Sequence, residues 1–115
     1  MPPCNLIFKS FQKTISTPGT EEALTTEKII TPFFRVFGGK GGPAANNTGN
    51  VFVGNKEVDN KWIPIIPGAI REYRHGDGRL LGCESDIGFD LRRFFLDVVT
   101  ASDGVIVEYL TTEDV

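Results

Sequence analysis

Apolar residues recur along this chain either at alternate positions or in short unbroken runs, and turn residues bound nearly every run. Alternation marks a strand with one buried face, whereas an unbroken run fits a strand buried on both. Leu6 to Ile15 sets Ile7, Phe11 and Ile15 on one side with Lys9 and Lys13 between them, while Leu6 and Phe8 add apolar groups to the other. Thr17-Pro18-Gly19-Thr20 then turns the chain. From Lys28 to Phe37, Phe33 and Phe37 flank Arg35 on one face, and Ile30, Phe34 and Val36 line the other. Pro32 cannot donate to a ladder, which predicts an edge strand or a bulge there. Asn50 to Val53 puts Val51 and Val53 on one face before Gly54-Asn55, and Trp62 to Ile66 is a short extended segment ended by Pro67-Gly68. Ala69 to Tyr73 and Arg79 to Cys83 flank Gly76-Asp77-Gly78 in a hairpin pattern.

Near the carboxy terminus, Phe94 to Val99 and Val105 to Leu110 lie on either side of Asp103-Gly104, which predicts a tight hairpin whose central residues need positive φ. Both faces of these two runs are mostly apolar, so the strands are either central in a sandwich or half-covered by another subunit. Helix signals are scarce: Thr20 to Ile30, rich in threonine and isoleucine, supports one short helix at most. The glycine-rich stretch beginning Gly38-Gly39-Lys40-Gly41-Gly42-Pro43 predicts a flexible loop over 38–50. The pattern as a whole predicts an all-β protein, an antiparallel two-sheet β-sandwich of jelly-roll-like form with about seven or eight strands. Residues 1–115 form a single domain in this reading, with 1–30 an extended arm or edge strand.

Composition narrows the function. Nine phenylalanines against one tryptophan and two tyrosines predict a core built on phenyl rings. Twelve lysines and arginines against fifteen aspartates and glutamates give a net charge of −3, which supplies no field to draw in nucleic acid or an anionic membrane. Neither a signal peptide nor an apolar run of spanning length is evident. Cys4 and Cys83 lack any ligand spacing and read as free thiols of a chain made in a reducing cytoplasm.

Each candidate for chemistry has a plainer explanation. Gly38-Gly39-Lys40-Gly41-Gly42 lacks the spacing and the following Ser or Thr of a phosphate-binding loop. His75, the single histidine, lies in a turn-like context without partners for a metal or a nucleophilic pair. Glu84, Asp86 and Asp90 lack the pattern of a calcium loop and read as turn-organising residues. Arg71, Arg74, Arg79, Arg92 and Arg93 are interleaved with acidic residues, which predicts a salt-bridged surface or a subunit interface rather than a nucleic-acid face. Asn46-Asn47-Thr48 is formally a glycosylation acceptor, with nothing else pointing to secretion. No catalytic, metal or cofactor site is expected, and the chain reads as a non-enzymatic protein.

Asn47-Thr48-Gly49-Asn50-Val51-Phe52-Val53-Gly54, Ile63-Pro64-Ile65-Ile66-Pro67-Gly68, Asp90-Leu91, Phe94-Phe95-Leu96-Asp97-Val98 and Val105-Ile106-Val107-Glu108-Tyr109 together resemble small accessory structural proteins of tailed bacteriophages. The resemblance spans residues 33 to 110. It implies a virion component assembled in the host cytoplasm: a head-decoration protein or a minor capsid or tail subunit. Such a protein would touch other virion proteins and form a homo-oligomer, with a trimer favoured.

Physical reasoning leads to the same expectation of assembly. Phe33 and Phe34 point to opposite faces of one strand, so some rings face outward, and a second subunit is the usual cover. Phe8, Phe33, Phe34 and Phe37 are the candidate interface residues. A competing expectation is a small sandwich module that binds carbohydrate or protein on a platform of Trp62, Tyr73 and Tyr109.

Overall fold

A computed structural model of the chain describes residues 6–39, 47–55, 63–74 and 88–112. The fold is all-β and sandwich-like, with nine strands among the described residues: β1 (Leu6–Thr14), β2 (Glu22–Ala23), β3 (Ile30–Thr31), β4 (Phe33–Phe37), β5 (Val51–Gly54), β6 (Ile70–Arg74), β7 (Phe89–Asp90), β8 (Phe95–Val98) and β9 (Gly104–Thr112). They form a four-stranded sheet in the order β1-β9-β4-β6, a three-stranded sheet in the order β2-β8-β5, and the small pair β3-β7. Every pairing is antiparallel. The one helical turn among the described residues, Leu91–Arg93, is 3-10 and is capped by the Asp90 side chain. The Thr20 to Ile30 stretch, where the sequence allows a short helix, instead contributes β2 and the start of β3 around an irregular bend.

The inner faces of the two larger sheets meet in one core. Phe34, Val36, Val105 and Val107 come from the four-stranded sheet and Val51, Val53, Leu96 and Val98 from the other, with Ile15, Leu24, Ile65 and Leu91 closing the ends. Phe34 anchors it: its ring stacks on Tyr73 at 4.5 Å and meets the edges of Phe89 at 5.4 Å and Phe94 at 5.1 Å. Each such pair adds about 0.5–1.5 kcal/mol to the area term.

The Thr17–Thr20 turn forms as its residues dictate, with Gly19 at φ 84° behind Pro18 and the Thr20 amide donating to the Thr17 carbonyl. Proline before a glycine at positive φ is the type II arrangement. Pro67-Gly68 ends the Ile63–Ile66 segment in the same manner, and Ile65 bridges to Val51.

Two expectations are corrected, and a third is narrowed. Pro32 marks neither an edge nor a bulge; it is the break at which the chain leaves β3 in the small pair and enters β4, an interior strand of the four-stranded sheet. A residue with no N–H suits that junction. The hairpin at Asp103-Gly104 does not form, because β8 and β9 belong to different sheets. Residues 99–103 arch between the sheets instead, with the positive φ (70°) at Ser102 and the Asp103 amide donating to the Thr100 carbonyl. Glycine is required at 104 by proximity: a Cβ there would lie 2.1 Å from the Lys13 carbonyl oxygen of β1. Finally, the 38–50 segment is pinned at both of its described ends. Gly38 and Asn47 are buried, the Gly38 amide donates to the Ala69 carbonyl, and the Gly38 carbonyl accepts from the amides of Asn47 and Gly68. Its middle, residues 40–46, and the expected hairpin around Gly76-Asp77-Gly78 lie outside the described residues.

Candidate functional site

The inner and outer faces of the four-stranded sheet follow directly from its register. Directly opposed residues on neighbouring strands share a face. The outer face therefore carries three rows. At one end Phe8 lies opposite Leu110, and Phe33 lies opposite Arg74. Across the middle run Ser10, Glu108, Arg35 and Glu72, and at the other end Gln12, Ile106, Phe37 and Ile70.

This face is open. Phe8 is 50% exposed and Ile70 61%, while Phe33, Phe37, Ile106 and Leu110 are partly exposed. Its side chains are nonetheless ordered against one another. The Phe8 and Phe33 rings meet edge to face at 6.0 Å, the Arg74 guanidinium sits 4.7 Å above Phe33, and that of Arg35 lies 5.5 Å from the Phe8 ring centre. Arg35 donates from Nε to Glu108 at 2.7 Å, and Arg74 approaches Glu72 at 3.5 Å. Two cations and two anions thus neutralise each other on a chain of net charge −3. A neutral, ring-bearing surface lends itself to apolar contact with another macromolecule.

Three of the four candidate interface residues, Phe8, Phe33 and Phe37, are brought together here. Phe34 is a correction: it points inward from β4, is 0% exposed and belongs to the core. Sequence reasoning did not single out Leu110, Ile106 and Ile70, although the apolar character of both faces of the Val105–Leu110 run was the signal for the first two.

The aromatic platform does not assemble. Tyr73 is stacked on Phe34 inside the sandwich, and burial raises its hydroxyl pKa against an opposing contribution from Arg71. Tyr109 packs beside Phe11 at 6.0 Å, its pKa likewise raised by burial first and by Glu27 second. Trp62 lies outside the described residues. So do Cys4, Cys83, His75, Arg79, Glu84 and Asp86. Three described arginines of the basic stretch are engaged locally: Arg71 donates to the carbonyls of Ile63 and Pro64, Arg74 approaches Glu72, and Arg92 pairs with Asp90 at 2.7 Å. Among the described residues no group of three His, Cys, Asp or Glu is gathered to hold a metal ion.

The Asn47-Thr48-Gly49 motif has a structural part to play. The Asn47 side chain donates to the Gly104 carbonyl at 2.7 Å and accepts from the Gly104 amide at 3.0 Å, standing in for a strand partner. The buried Asp103 carboxylate accepts from the amides of Thr48 and Gly49. These bonds lock the arch between the sheets and so hold the start of β9, which supplies Ile106, Glu108 and Leu110 to the outer face.

No family model matches this chain, and neither a curated protein nor a solved structure matches it.

Proposed function

We propose that this protein is a non-enzymatic structural subunit of a tailed-bacteriophage virion, a homo-oligomer at the head or tail surface that assembles in the host cytoplasm. The observation that carries the assembly is the open outer face of the four-stranded sheet, where Phe8, Phe33 and Phe37 stand on one side of the molecule with Ile70 beside them. Apolar area left in water forfeits about 25 cal/mol per Å² relative to burial, so a face of this kind favours association. Closed symmetry covers it without leaving a growing edge. The virion assignment is supported by the resemblance of residues 33 to 110 to accessory phage proteins. A sandwich module that binds carbohydrate loses support, since Tyr73 is committed to the core.

Sedimentation velocity and light scattering across a dilution series test the reading. The expected mass is a small multiple of the 12.6 kDa chain. A stable monomer at high micromolar concentration overturns it. Mass spectrometry of purified particles released by a host carrying the gene tests the virion assignment, and absence of the chain from those particles overturns that part.

A further inference from the structure

We propose that the outer face of the four-stranded sheet pairs with the same face of a second copy about a two-fold axis that runs along the strands, so that Arg35 of each copy meets Glu108 of the other. This rests on the homo-oligomeric reading above and adds a symmetry and a register to it.

The strands of this sheet lie in the order β1-β9-β4-β6. Across the middle of the face that order places Ser10, Glu108, Arg35 and Glu72 in sequence. A half-turn about an axis in the contact plane, parallel to the strands and passing between β9 and β4, reverses the order and leaves every row at its own height. β9 of one copy then lies over β4 of the other. Glu108 falls on Arg35, Arg35 on Glu108, and Ser10 on Glu72. The flanking rows follow the same operation, which sets Leu110 on Phe33 and Ile106 on Phe37. Phe8 falls on Arg74, whose guanidinium already lies over a phenyl ring of its own chain. Each charge thereby meets an opposite charge, a hydroxyl or a ring.

Other arrangements lack this complementarity. The second in-plane two-fold, perpendicular to the strands, keeps the strand order and sets Glu108 on Glu108 and Arg35 on Arg35, a like-charge juxtaposition that counts against binding. A three-fold ring joins this face to a different surface of its neighbour, and the reciprocal charge row then plays no part. Sheets packed face to face prefer strand directions within about 30° of one another, which an axis along the strands satisfies. The size is also adequate. Four strands about 4.8 Å apart, and up to nine residues of about 3.4 Å along β1, give a face on the order of 500 Å² per copy and about 1,000 Å² for the pair, near the threshold for a specific contact.

The test separates contacts between chains from the Arg35–Glu108 pair within one chain. Arg35→Glu and Glu108→Arg are made in separate chains and studied by light scattering with gel filtration, alone and as an equimolar mixture. The wild-type protein is expected at twice the chain mass. Each variant alone, placing two like charges at the centre of the contact, is expected to raise the dimer dissociation constant by at least about tenfold. The mixture is expected to recover the dimer, because the carboxylate introduced at position 35 of one chain then faces the guanidinium introduced at position 108 of the other. Should a charge-reversed chain fail to give the wild-type circular dichroism spectrum, Phe33→Asp and Leu110→Lys replace it under the same mixing scheme. A wild-type dimer whose variant mixtures stay as weak as the single variants overturns the proposed register. A wild-type trimer overturns the two-fold and leaves the homo-oligomeric reading standing, whereas a wild-type monomer overturns both.

Discussion

The two larger sheets solve the burial of their outer faces differently. In the four-stranded sheet burial alternates: along β4 the residues Phe34 and Val36 are buried while Phe33, Arg35 and Phe37 are partly exposed, and β6 alternates in the same way. The three-stranded sheet shows no alternation, since all four residues of β5 and three of the four in β8 are buried. Phe52 and Asp97, opposite each other on the outer side of that sheet, are 8% and 0% exposed. Asp97 accepts there from the Gly19 amide of the Thr17–Thr20 turn at 2.9 Å, so its own chain reaches across that side. One sheet finishes its burial within the subunit, and the other leaves apolar side chains open on its outer face.

The largest effect that can break this arrangement comes from the junction serving both sheets. Gly104→Ala would place a methyl group 2.1 Å from the Lys13 carbonyl, which only a shift of β1 or β9 can relieve. A loss of about 4 kcal/mol or more is expected in urea unfolding, in the range of severe core damage. Wild-type stability would mean that β1 does not run beside β9 in the stated register. Next, Phe52→Ala and Phe8→Ala test the contrast between the outer faces with one residue type. Emptying the Phe52 site should cost about 3–4 kcal/mol. Phe8→Ala, at a half-exposed site, should change the stability of the isolated subunit by less than about 1 kcal/mol while weakening self-association. Equal losses at the two positions would erase the distinction between the sheets.

The four-stranded sheet is legible in the sequence only in part, because charge does not mark the same side of every strand. Arg35 lies on the outer face of β4 with Phe33 and Phe37, whereas Lys9 and Lys13 share a face with Phe11 on β1, opposite Tyr109 and Val105. The partner of each strand is not legible in this way. Phe94 to Val99 and Val105 to Leu110 flank Asp-Gly in a pattern that fits a hairpin, yet the chain arches because Asp103 is held by the amides of Thr48 and Gly49, residues remote in sequence. Local turn preference is outweighed there by several buried hydrogen bonds. Phe34 groups with the exposed rings in the sequence for a related reason. Composition counts phenylalanines without saying that Tyr73, Phe89 and Phe94 converge on that one.

An effect of middle size should come from the clasp behind that arch. Asn47→Ala leaves the Gly104 amide and carbonyl, both bonded to the Asn47 side chain, without these partners in a buried setting. A loss of about 2–3 kcal/mol is expected, since an unpaired buried group costs more than a hydrogen bond contributes. Asn47→Asp keeps an acceptor for the Gly104 amide but sets a carboxylate oxygen against the Gly104 carbonyl in a buried site next to Asp103, and should be at least as destabilising as alanine in thermal unfolding at neutral pH. Alanine and aspartate variants as stable as wild type would mean that the clasp is not formed in solution.

The smallest expected effect lies at the end of the sandwich, in the 3-10 turn. Asp90 accepts from the Arg92 amide at 3.0 Å and from its guanidinium at 3.0 and 2.7 Å. The guanidinium bond is the main cause that holds the Asp90 pKa down at about 2 from an ordinary 3.8, with the Arg92 amide and the charges of Arg92 and Arg93 adding to it against partial desolvation. A carboxyl group whose folded pKa lies below its unfolded value contributes stability above the unfolded pKa and loses it as pH falls through the folded one. The contribution of Asp90 is therefore present above pH 3.8 and disappears on the way down to about 2. Solvent around this pair screens it, so the effect on the melting temperature should be slight and should shrink with added salt. Asp90→Asn keeps a side-chain acceptor for the Arg92 amide and removes the charge. The gap in melting temperature between wild type and this variant should be greatest near neutral pH and close as pH is lowered toward 2. A gap that stays constant over that range would show that Asp90 acts as a cap alone and that its charge adds nothing to the fold.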